Sequence, residues 1–478
     1  MVAAIRLWDT KLRAALWATA FLTALLVSSL IPPIQSPDED SHIGRAYLLS
    51  KGQFLLQAVP DDLVAPAGAV ESQAALIERT RMHVGRAGGM VDTGLLGFIE
   101  MNLSIAHGAT ARLTPADLDR LSRIRWSGSE QYAFMPGTGY YFPAIYAPQA
   151  LGIAVGRALD LSVAHTYELA RVCTLLVCFA MLWLACELVT PNAFVSALWL
   201  LPMSLFQLLS PTLDGLTTSL AILTTSVFIY AISTRHERSD ASSWGLALCV
   251  FLLAASKAHL LPLVTLPFYL AWQRHSRKDF FLGVAVAACA IAWTLFALHS
   301  TNDERLVREH GTSELLYYYG ANPTAYFKMI VASLSDSDLV TFYQQTFIGI
   351  FGWLDARLPP VLYPILWTGL GLCALASIRI STLRQDWDVR LLLIVAALAS
   401  VGLVFLAMLV TWTAHPAVTV QGVQGRYLIV PAILLGYALN GLAATPLTPI
   451  RWLGRGTLTV FALISLSGLM VTLLNRYH

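Results

Sequence analysis

The sequence predicts an all-α polytopic membrane protein that forms a single transmembrane domain over residues 1–478. Hydrophobic residues make up 56% of the chain and charged residues only 13%, whereas soluble domains carry roughly 25% charged residues. Apolar segments recur from one end of the chain to the other, so no large soluble domain is expected. The net charge of +2 argues against nucleic acid as a partner.

About eleven membrane-spanning helices are predicted, because a span needs about 20 mostly apolar residues. The run 241–273 is too long for one span and is interrupted by SKAHLLP, so we expect two shorter helices there. The first apolar run lacks the small-residue cleavage site of a signal peptide and is expected to be retained. The other candidate spans are 12–31, 168–189, 193–210, 214–234, 280–298, 360–378, 390–412, 427–443 and 457–474.

Basic residues predict the orientation, because short cytoplasmic loops carry an excess of lysine and arginine. Arg6, Lys11 and Arg13 place the N-terminus in the cytoplasm, and the basic loops after later spans are then cytoplasmic too. This agreement requires that the segment 139–158 does not cross the membrane. Its prolines and tyrosines favour an interfacial or re-entrant helix.

Two large loops then lie outside the cytoplasm, a first loop over 32–167 and a second over 299–359. The first contains amphipathic segments with apolar residues at helical spacing, which predicts juxtamembrane helices. Ionisable groups at the edge of a membrane are costly and commonly mark a substrate path. This arrangement places six such residues on one side: Asp38, Glu39, Asp214, Lys257, Asp355 and Arg426.

The segment DEDSHIGRAY directly follows the first predicted span. Asp38, His42 and Arg45 stand at i, i+4 and i+7, so a helix would present all three on one face. A helix cap is the alternative, with Asp38 or the preceding serine as the N-cap residue and early acids favoured by the helix dipole. The cap explains the acids, but it leaves the alignment of His42 with Arg45 unexplained.

A second acid, Asp214, precedes a helical run in LSPTLDGLTTSL. It could cap that helix, or it could meet the acids of the first loop. Two adjacent carboxylates can raise one pKa and supply a base, or they can hold a divalent cation such as Mg²⁺ or Mn²⁺. The sequence leaves these roles open, and the six cysteines lack the spacing of a metal site.

Three further residues are candidates for substrate binding. Lys257 interrupts apolar sequence, either as a snorkelling lysine or as a phosphate contact. Arg426 stands where a span begins, and its planar donor fork suits a phosphate, although an interface anchor beside the next tyrosine is the simpler alternative. Asp355, in FGWLDARLPP, is also explained by turn chemistry.

Four of these segments resemble the landmarks of an uncharacterised bacterial membrane-protein family, domain of unknown function 2142. They are SPDEDSHIGRAYLLSKGQ, SPTLDGLTTSLAIL, FGWLDARLP and VQGRYLIVP, and they occur in the family's order over nearly the whole chain. The layout is also similar to the GT-C glycosyltransferases, including protein mannosyltransferases and the aminoarabinose transferase of lipid A. Those enzymes carry acidic residues just after the first span, followed by juxtamembrane helices.

The resemblance implies a GT-C-like glycosyltransferase in the bacterial inner membrane, with its active site facing the periplasm. It would transfer one sugar, with inversion, from a polyprenyl-phosphate-linked donor to a cell-envelope polysaccharide, lipid or protein. Asp38 would be the catalytic base, Glu39 would orient the acceptor, and Asp214 would assist or bind the sugar. The substrate-binding residues would be His42, Arg45, Lys257, Asp355 and Arg426, with Lys257 and Arg426 on the leaving phosphate.

The first motif departs from the family pattern by an additional acid, Asp40, which leaves open which of the three adjacent carboxylates is the base. Two other classes of function remain open at this point. A flippase or transporter of a lipid-linked saccharide would place ionisable residues near the membrane midplane and show internal repeats. A scaffold subunit of a polysaccharide assembly system would tolerate substitution of Asp38 and Asp214.

Overall fold

The computed structural model describes residues 10–61, 63, 85–106, 108, 110–112, 114–234, 239–301, 303, 310–442 and 449–478. Helices dominate these residues. Those before the second large loop are α1 (Thr10–Ser28), α2 (Glu39–Ser50), α3 (Thr93–Ala106), α4 (Pro115–Arg123), α5 (Ala147–Ala158), α6 (Val163–Leu188), α7 (Ala193–Trp199), α8 (Pro202–Leu209), α9 (Leu213–Ser233), α10 (Asp240–Ser256), α11 (Thr265–Arg274) and α12 (Arg277–Ser300). The helices within the second large loop and after it are α13 (Thr312–Ala321), α14 (Pro323–Ser335), α15 (Ser337–Ile348), α16 (Leu362–Ser377), α17 (Leu383–Thr411), α18 (Ile429–Asn440) and α19 (Pro449–Tyr477).

Six of the described helices are long and apolar enough to cross a membrane, namely α1, α6, α9, α12, α17 and α19. They coincide with predicted spans of the sequence. Three further apolar helices, α3, α10 and α16, are shorter. The structure therefore confirms a helical membrane protein, and the count of eleven spans stays a prediction.

The expectation of one helix over 193–210 is wrong. The segment forms two short helices, α7 and α8, because Pro202 occupies the first turn of α8. A proline disfavours the helical conformation in the residue before it. Leu201 accordingly adopts φ −55° and ψ 143°, which ends the helical path between α7 and α8.

Two other apolar segments are also broken into short pieces. The run 241–273 divides as predicted, into α10, a 3₁₀ segment over Ala258–Val264, and α11. The segment 139–158 contributes only the twelve-residue helix α5 after two 3₁₀ turns. At about 1.5 Å per residue, α5 is too short for a hydrocarbon core of roughly 30 Å.

Strands are present where only helices were expected. In the first large loop, β1 (Gly88–Asp92) pairs antiparallel with β2 (Glu130–Phe134), from Gly88 opposite Phe134 to Asp92 opposite Glu130. The Asp92 carboxylate closes this sheet by accepting hydrogen bonds from the N–H groups of Ser127 and Gly128. A second, shorter hairpin pairs β3 (Ile350–Phe351) with β4 (Ala356–Arg357). The predicted loop region 32–167 is therefore partly a folded α/β layer.

Helix α9 is the centre of the packed core and is almost entirely buried. The hydroxyl of Tyr437 in α18 contacts the Ser226 hydroxyl of α9 at 2.8 Å. Helix α1, in contrast, is mostly exposed along its length, and polar contacts hold it at each end. Arg171 of α6 donates at 3.0 Å to the carbonyl of Ser28, the last residue of α1. At the opposite end, Arg13 pairs with Glu187 at 2.9 Å.

Parts of the sequence-based predictions lie outside the described residues. These parts are Arg6, residues 64–84 of the first predicted loop, the basic segment 235–238, and residues 304–309 of the second predicted loop.

Candidate active site

A cavity of about 560 Å³ lies between the first large loop, the segment after α10, and the C-terminal ends of α12 and α17. Its ionisable walls are formed by Asp38, Lys257, His259, Asp303 and Arg426. The cavity is rich in aromatic residues, which include Tyr140, Tyr141, Trp353, Trp412 and Tyr427. The fold therefore brings two carboxylates, Asp38 and Asp303, and two cationic side chains, Lys257 and Arg426, to one cavity from distant segments of the sequence.

Asp214 contacts both cationic side chains, Lys257 and Arg426. Its Oδ1 lies 2.9 Å from Nζ of Lys257, and its Oδ2 lies 3.6 Å from Nη1 of Arg426. Gln207 of α8 also donates to Oδ2, at 3.2 Å. Asp214 is absent from the described residues that line the cavity. We conclude that this carboxylate holds the two cations in place.

Local sequence explains how this ion cluster forms. Asp214 is the second residue of α9, where the helix dipole favours a negative charge. Gly215 permits the close approach of α8, because a Cβ there would lie 2.6 Å from the carbonyl oxygen of Gln207. Lys257 follows the end of α10 in an extended conformation, and its ammonium lies 5.2 Å from the centre of the Tyr141 ring.

Electrostatics keeps both cations charged. Burial lowers the pKa of Lys257, but the nearby Asp214 carboxylate more than offsets it, so the Lys257 pKa lies above its ordinary value. The pKa of Arg426 is likewise raised despite burial, through Tyr427 and Asp214. Burial instead lowers the pKa of His259 to about 3. The cavity therefore offers two cations and a neutral imidazole at physiological pH.

Asp38 occupies the N-cap position of α2 without acting as a cap. Its carboxylate accepts no capping hydrogen bond from the first turn of the described helix, and its backbone is left-handed, with φ 59° and ψ 13°. Ile34, four residues earlier, also has a positive φ of 63°. Left-handed backbone is rare outside glycine and tends to cluster at functional sites. The cap alternative thus fails to account for this side chain, which lines the cavity.

Glu39 has a different environment from Asp38. It is fully buried, and its carboxylate accepts hydrogen bonds from the N–H groups of Ile34 at 3.2 Å and Ser36 at 2.9 Å. The hydroxyl of Tyr167 donates to the same carboxylate. Burial raises the pKa of Glu39, and these hydrogen bonds partly oppose that effect. Glu39 thus anchors the loop that carries Asp38.

Arg171 completes this buried network on α6. It donates to the Tyr167 hydroxyl at 2.8 Å and to the backbone carbonyl of Ile31 at 3.0 Å. The chain of contacts runs from Arg171 through Tyr167 to Glu39, and from there to the backbone just before Asp38. The shape of the Asp38 loop therefore depends on side chains that come from α6.

The remaining predicted residues of α2 lie beside the cavity lining. His42 contacts the hydroxyl of Tyr146 through Nδ1 at 2.9 Å, and burial lowers its pKa to about 4. Arg45 donates to the backbone carbonyls of Gln53, at 3.2 Å, and Phe54. Of the predicted helical face, Asp38 is the member that reaches the cavity, and Arg45 holds the turn after α2.

Asp40 and Asp355 are also absent from the described residues that line the cavity. Burial raises the pKa of Asp40. Asp355 lies between β3 and β4, and its Oδ2 is 2.5 Å from Nε of Arg476 at the end of α19. The structure therefore groups Asp38, Asp214, Lys257 and Arg426, and it places Asp355 in a separate ion pair.

Sequence reasoning missed several cavity residues that stood inside the quoted motifs. His259 is two residues after Lys257, and Trp353 precedes Asp355 in FGWLD. Trp412 and Asp303 were missed as well. In FGWLD, the charge of Asp355 predicts a site residue, whereas the aromatic Trp353 lines the cavity. An aromatic residue in a motif at a membrane edge is the signal that could have identified Trp353.

No preformed metal site is found in the part of the chain that the structure describes, where no group of three or more histidine, cysteine or acidic residues could hold an ion. Both oxygens of Asp214 already contact cationic side chains. A role for Mg²⁺ or Mn²⁺ stays a prediction.

Comparison with known proteins identifies the family of the chain. No curated protein and no solved structure matches the sequence. The model of one family, described as predicted membrane protein (DUF2142), matches residues 21–435. That match covers most of the 478 residues, and the chain therefore belongs to the DUF2142 family of predicted membrane proteins.

Proposed function

We propose that this protein is a glycosyltransferase that moves one sugar from a polyprenyl-phosphate-linked donor to a cell-envelope acceptor, at the periplasmic face of the bacterial inner membrane. The observation that carries the proposal is the meeting of Asp38 with Lys257 and Arg426 at one cavity. Group transfer from a phosphate needs a base for the acceptor and positive charge for the leaving group. These residues provide both requirements.

The ion cluster is suited to an anionic leaving group. Two cations share a single Asp214 carboxylate, so the cluster carries a net positive charge beside the cavity. A phosphodiester that links a sugar to a lipid carries one negative charge, and the departing phosphate gains another. Cations that are fixed in advance stabilise this developing charge without reorganisation. Asp214 acts here as a positioning residue.

Asp38 is the proposed base because its carboxylate lines the cavity that the cations also line. The acceptor hydroxyl attacks the anomeric carbon of the sugar, and its proton passes to Asp38. The bond between the anomeric carbon and the phosphate oxygen breaks, and its electron pair leaves with the phosphate. Glu39 contributes by holding the Asp38 loop, since its own oxygens are occupied by Ile34 and Ser36.

The shape of the cavity supports a lipid-linked donor. Thr294, Ala297 and Leu298 of α12 line it at helical spacing. The C-terminal part of α17 contributes Val404, Ala407, Met408 and Thr411 to the same lining. Both helices are candidate membrane spans. A volume of about 560 Å³ lies within the roughly 300–1,000 Å³ of small-molecule sites.

The test compares wild-type protein with Asp38→Asn in membranes of the native organism. Asp338→Asn is the matched control, because it changes an exposed acid of the second large loop in the same way. We expect Asp38→Asn to lose one surface-glycan modification and to accumulate polyprenyl-linked sugar at normal protein level. Unchanged glycans in Asp38→Asn would refute the proposal.

A second experiment separates catalysis from lipid flipping. Membranes of a deletion strain, which contain accumulated donor and unmodified acceptor, are dissolved in detergent and mixed with purified protein. Transfer in micelles requires no movement between leaflets, so an enzyme restores the modification there and a flippase does not. Restoration by wild type and its loss in Asp38→Asn is the expected result.

A further inference from the structure

Two helices of the second large loop pack against the side of a membrane span. Helices α13 and α14 are joined at Asn322, and we call this pair the α13–α14 hairpin. The hydroxyl of Tyr326 in α14 donates to the backbone carbonyl of Gly402 in α17. Gly402 is nine residues before Thr411, the last residue of α17, which corresponds to about 13 Å at 1.5 Å per residue. The uncharged stretch of α17 runs from Leu391 to Thr411, so this contact lies near its middle.

The side chains of the hairpin that face α17 also contact the middle of that span. Leu315, Tyr326 and Met329 belong to one apolar cluster with Val401 and Phe405 of α17. The cluster thus extends along the outer half of the span instead of stopping at its end. At the other end of α14, Ser333 accepts a hydrogen bond from the N–H of Val420 at 2.8 Å. Helix α14 therefore rises along α17 from mid-span toward the loop beyond it.

The outer face of the hairpin is apolar as well. Phe327, Val331 and Leu334 stand at i, i+4 and i+7 of α14, and their side chains are 61%, 62% and 54% exposed. On α13, Tyr317 and Tyr318 are exposed beside them. An apolar stripe that is exposed on a helix whose packed face is also apolar is typical of a surface that protein or membrane covers. The depth of the hairpin beside α17 indicates which of these environments surrounds it.

We infer that the α13–α14 hairpin is embedded in the outer leaflet, with the stripe of Phe327, Val331 and Leu334 in contact with lipid acyl chains. Two polar residues of the hairpin, Asn322 and Lys328, are compatible with this position. The side-chain amide of Asn322 donates to the carbonyl of Tyr318 at 3.0 Å, so the turn satisfies this donor internally. Lys328 has a long apolar stem that can carry its ammonium to the headgroups. Tyrosine is a residue that membrane interfaces favour.

This inference is independent of the proposed function and concerns the partner of one surface. It changes the second predicted loop, 299–359, from a water-exposed segment into one that is partly in the membrane. The hairpin then lies in the same leaflet as the part of the cavity that α17 lines. Val404 and Met408 of α17 both line the cavity and belong to the apolar cluster that includes the hairpin.

Cysteine accessibility tests the inference in the full-length protein. Phe327→Cys and Val331→Cys probe the stripe. Ser337→Cys is a near-isosteric control at an exposed position just after α14, and Leu398→Cys marks an exposed position inside the α17 span. Each variant is treated with a membrane-impermeant maleimide in native membranes and again after purification into lipid nanodiscs. Unsubstituted protein corrects for the native cysteines, and labelling after denaturation in detergent confirms that each new thiol is present.

Cysteines in the stripe should react at least about tenfold more slowly than Ser337→Cys in both preparations, because the reactive thiolate requires water. Their rates should match that of Leu398→Cys. Rates equal to that of Ser337→Cys would overturn the inference, since the stripe would then face water. Protection in native membranes that disappears in nanodiscs would overturn it too, because a partner protein would then be the covering surface.

Discussion

Replacing Asp214 by asparagine removes a carboxylate that contacts both Lys257 and Arg426. At an effective dielectric constant of about 20, unit charges 2.9 Å apart attract by ~6 kcal/mol, and charges 3.6 Å apart by ~5 kcal/mol. Desolvation and the repulsion between the two cations offset much of this attraction. Breaking a buried pair by removing one partner typically costs about 3–5 kcal/mol. Because the side chains of Asp214 and Lys257 remain 21% and 14% exposed, we expect Asp214→Asn to destabilise the protein by about 3 kcal/mol, the lower end of that range.

The assay is thermal unfolding of purified protein in detergent, followed by the exposure of buried cysteines. Glu187→Gln is the matched control, because Glu187 pairs with Arg13 at the same distance of 2.9 Å but at a more exposed position. An exposed pair contributes about 0–1 kcal/mol, so the control should unfold close to the wild-type temperature. The double variant Asp214→Asn, Lys257→Met should recover part of the loss, since it also removes one unpaired cation.

Anion binding gives the same prediction a second readout. Farnesyl phosphate should raise the unfolding temperature of Asp214→Asn more than that of wild type, because the phosphate compensates the two cations that have lost their carboxylate. Wild-type stability in Asp214→Asn would refute the assignment of Asp214 as the residue that holds these cations. It would return Asp214 to a direct role in binding the sugar.

Two other predictions concern the walls of the site. Tyr167→Phe removes the hydroxyl between Arg171 and Glu39. This substitution should lower the free energy of unfolding by about 1–3 kcal/mol and slow sugar transfer. The control Tyr363→Phe removes a hydrogen bond from a hydroxyl to a backbone carbonyl elsewhere and should leave transfer unchanged. The pKa of His42 is lowered to about 4 by burial, so the unfolded chain binds more protons below its ordinary pKa of about 6.5. Stability should therefore be constant above about pH 7 and fall as the pH drops from 6.5 toward 4, and His42→Gln should weaken that fall; equal pH dependence in both proteins would contradict the buried, neutral assignment.

Sequence reasoning predicts the long spans well, because hydrophobicity over about 20 residues is a local property. It fails over 193–210, where the hydropathy of the run conceals the break that Pro202 imposes. It also misses the pairing of β1 with β2, since GGMVD and EQYAF lack the alternation of apolar and polar residues that marks a strand. Pairing between segments so far apart is set by tertiary contacts.

In the candidate site, too, local sequence predicts some features, and others depend on tertiary contacts. Orientation and the position of charges at span ends identify Asp38, Asp214, Lys257 and Arg426 from sequence. Burial, however, distinguishes neighbours that the sequence treats alike. Asp38 lines the cavity, whereas the adjacent Glu39 is enclosed by backbone N–H groups and Tyr167. Such a difference depends on which helix packs behind each side chain, and a motif does not contain that information.

The contacts of Arg171 also constrain the order of events during synthesis. Helix α1 is the first described span to leave the ribosome, yet it is mostly exposed. Its C-terminal end is held by Arg171, which is encoded more than a hundred codons later. Until α6 is inserted, the end of α1 lacks its hydrogen bonds from Arg171. The backbone around Ile34 then has neither Tyr167 nor Arg171 to hold it. The Asp38 loop therefore reaches its final shape only after translation has passed α6. On a ribosome stalled before α6, the nascent chain would have α1 in the membrane while the Asp38 loop is still unformed.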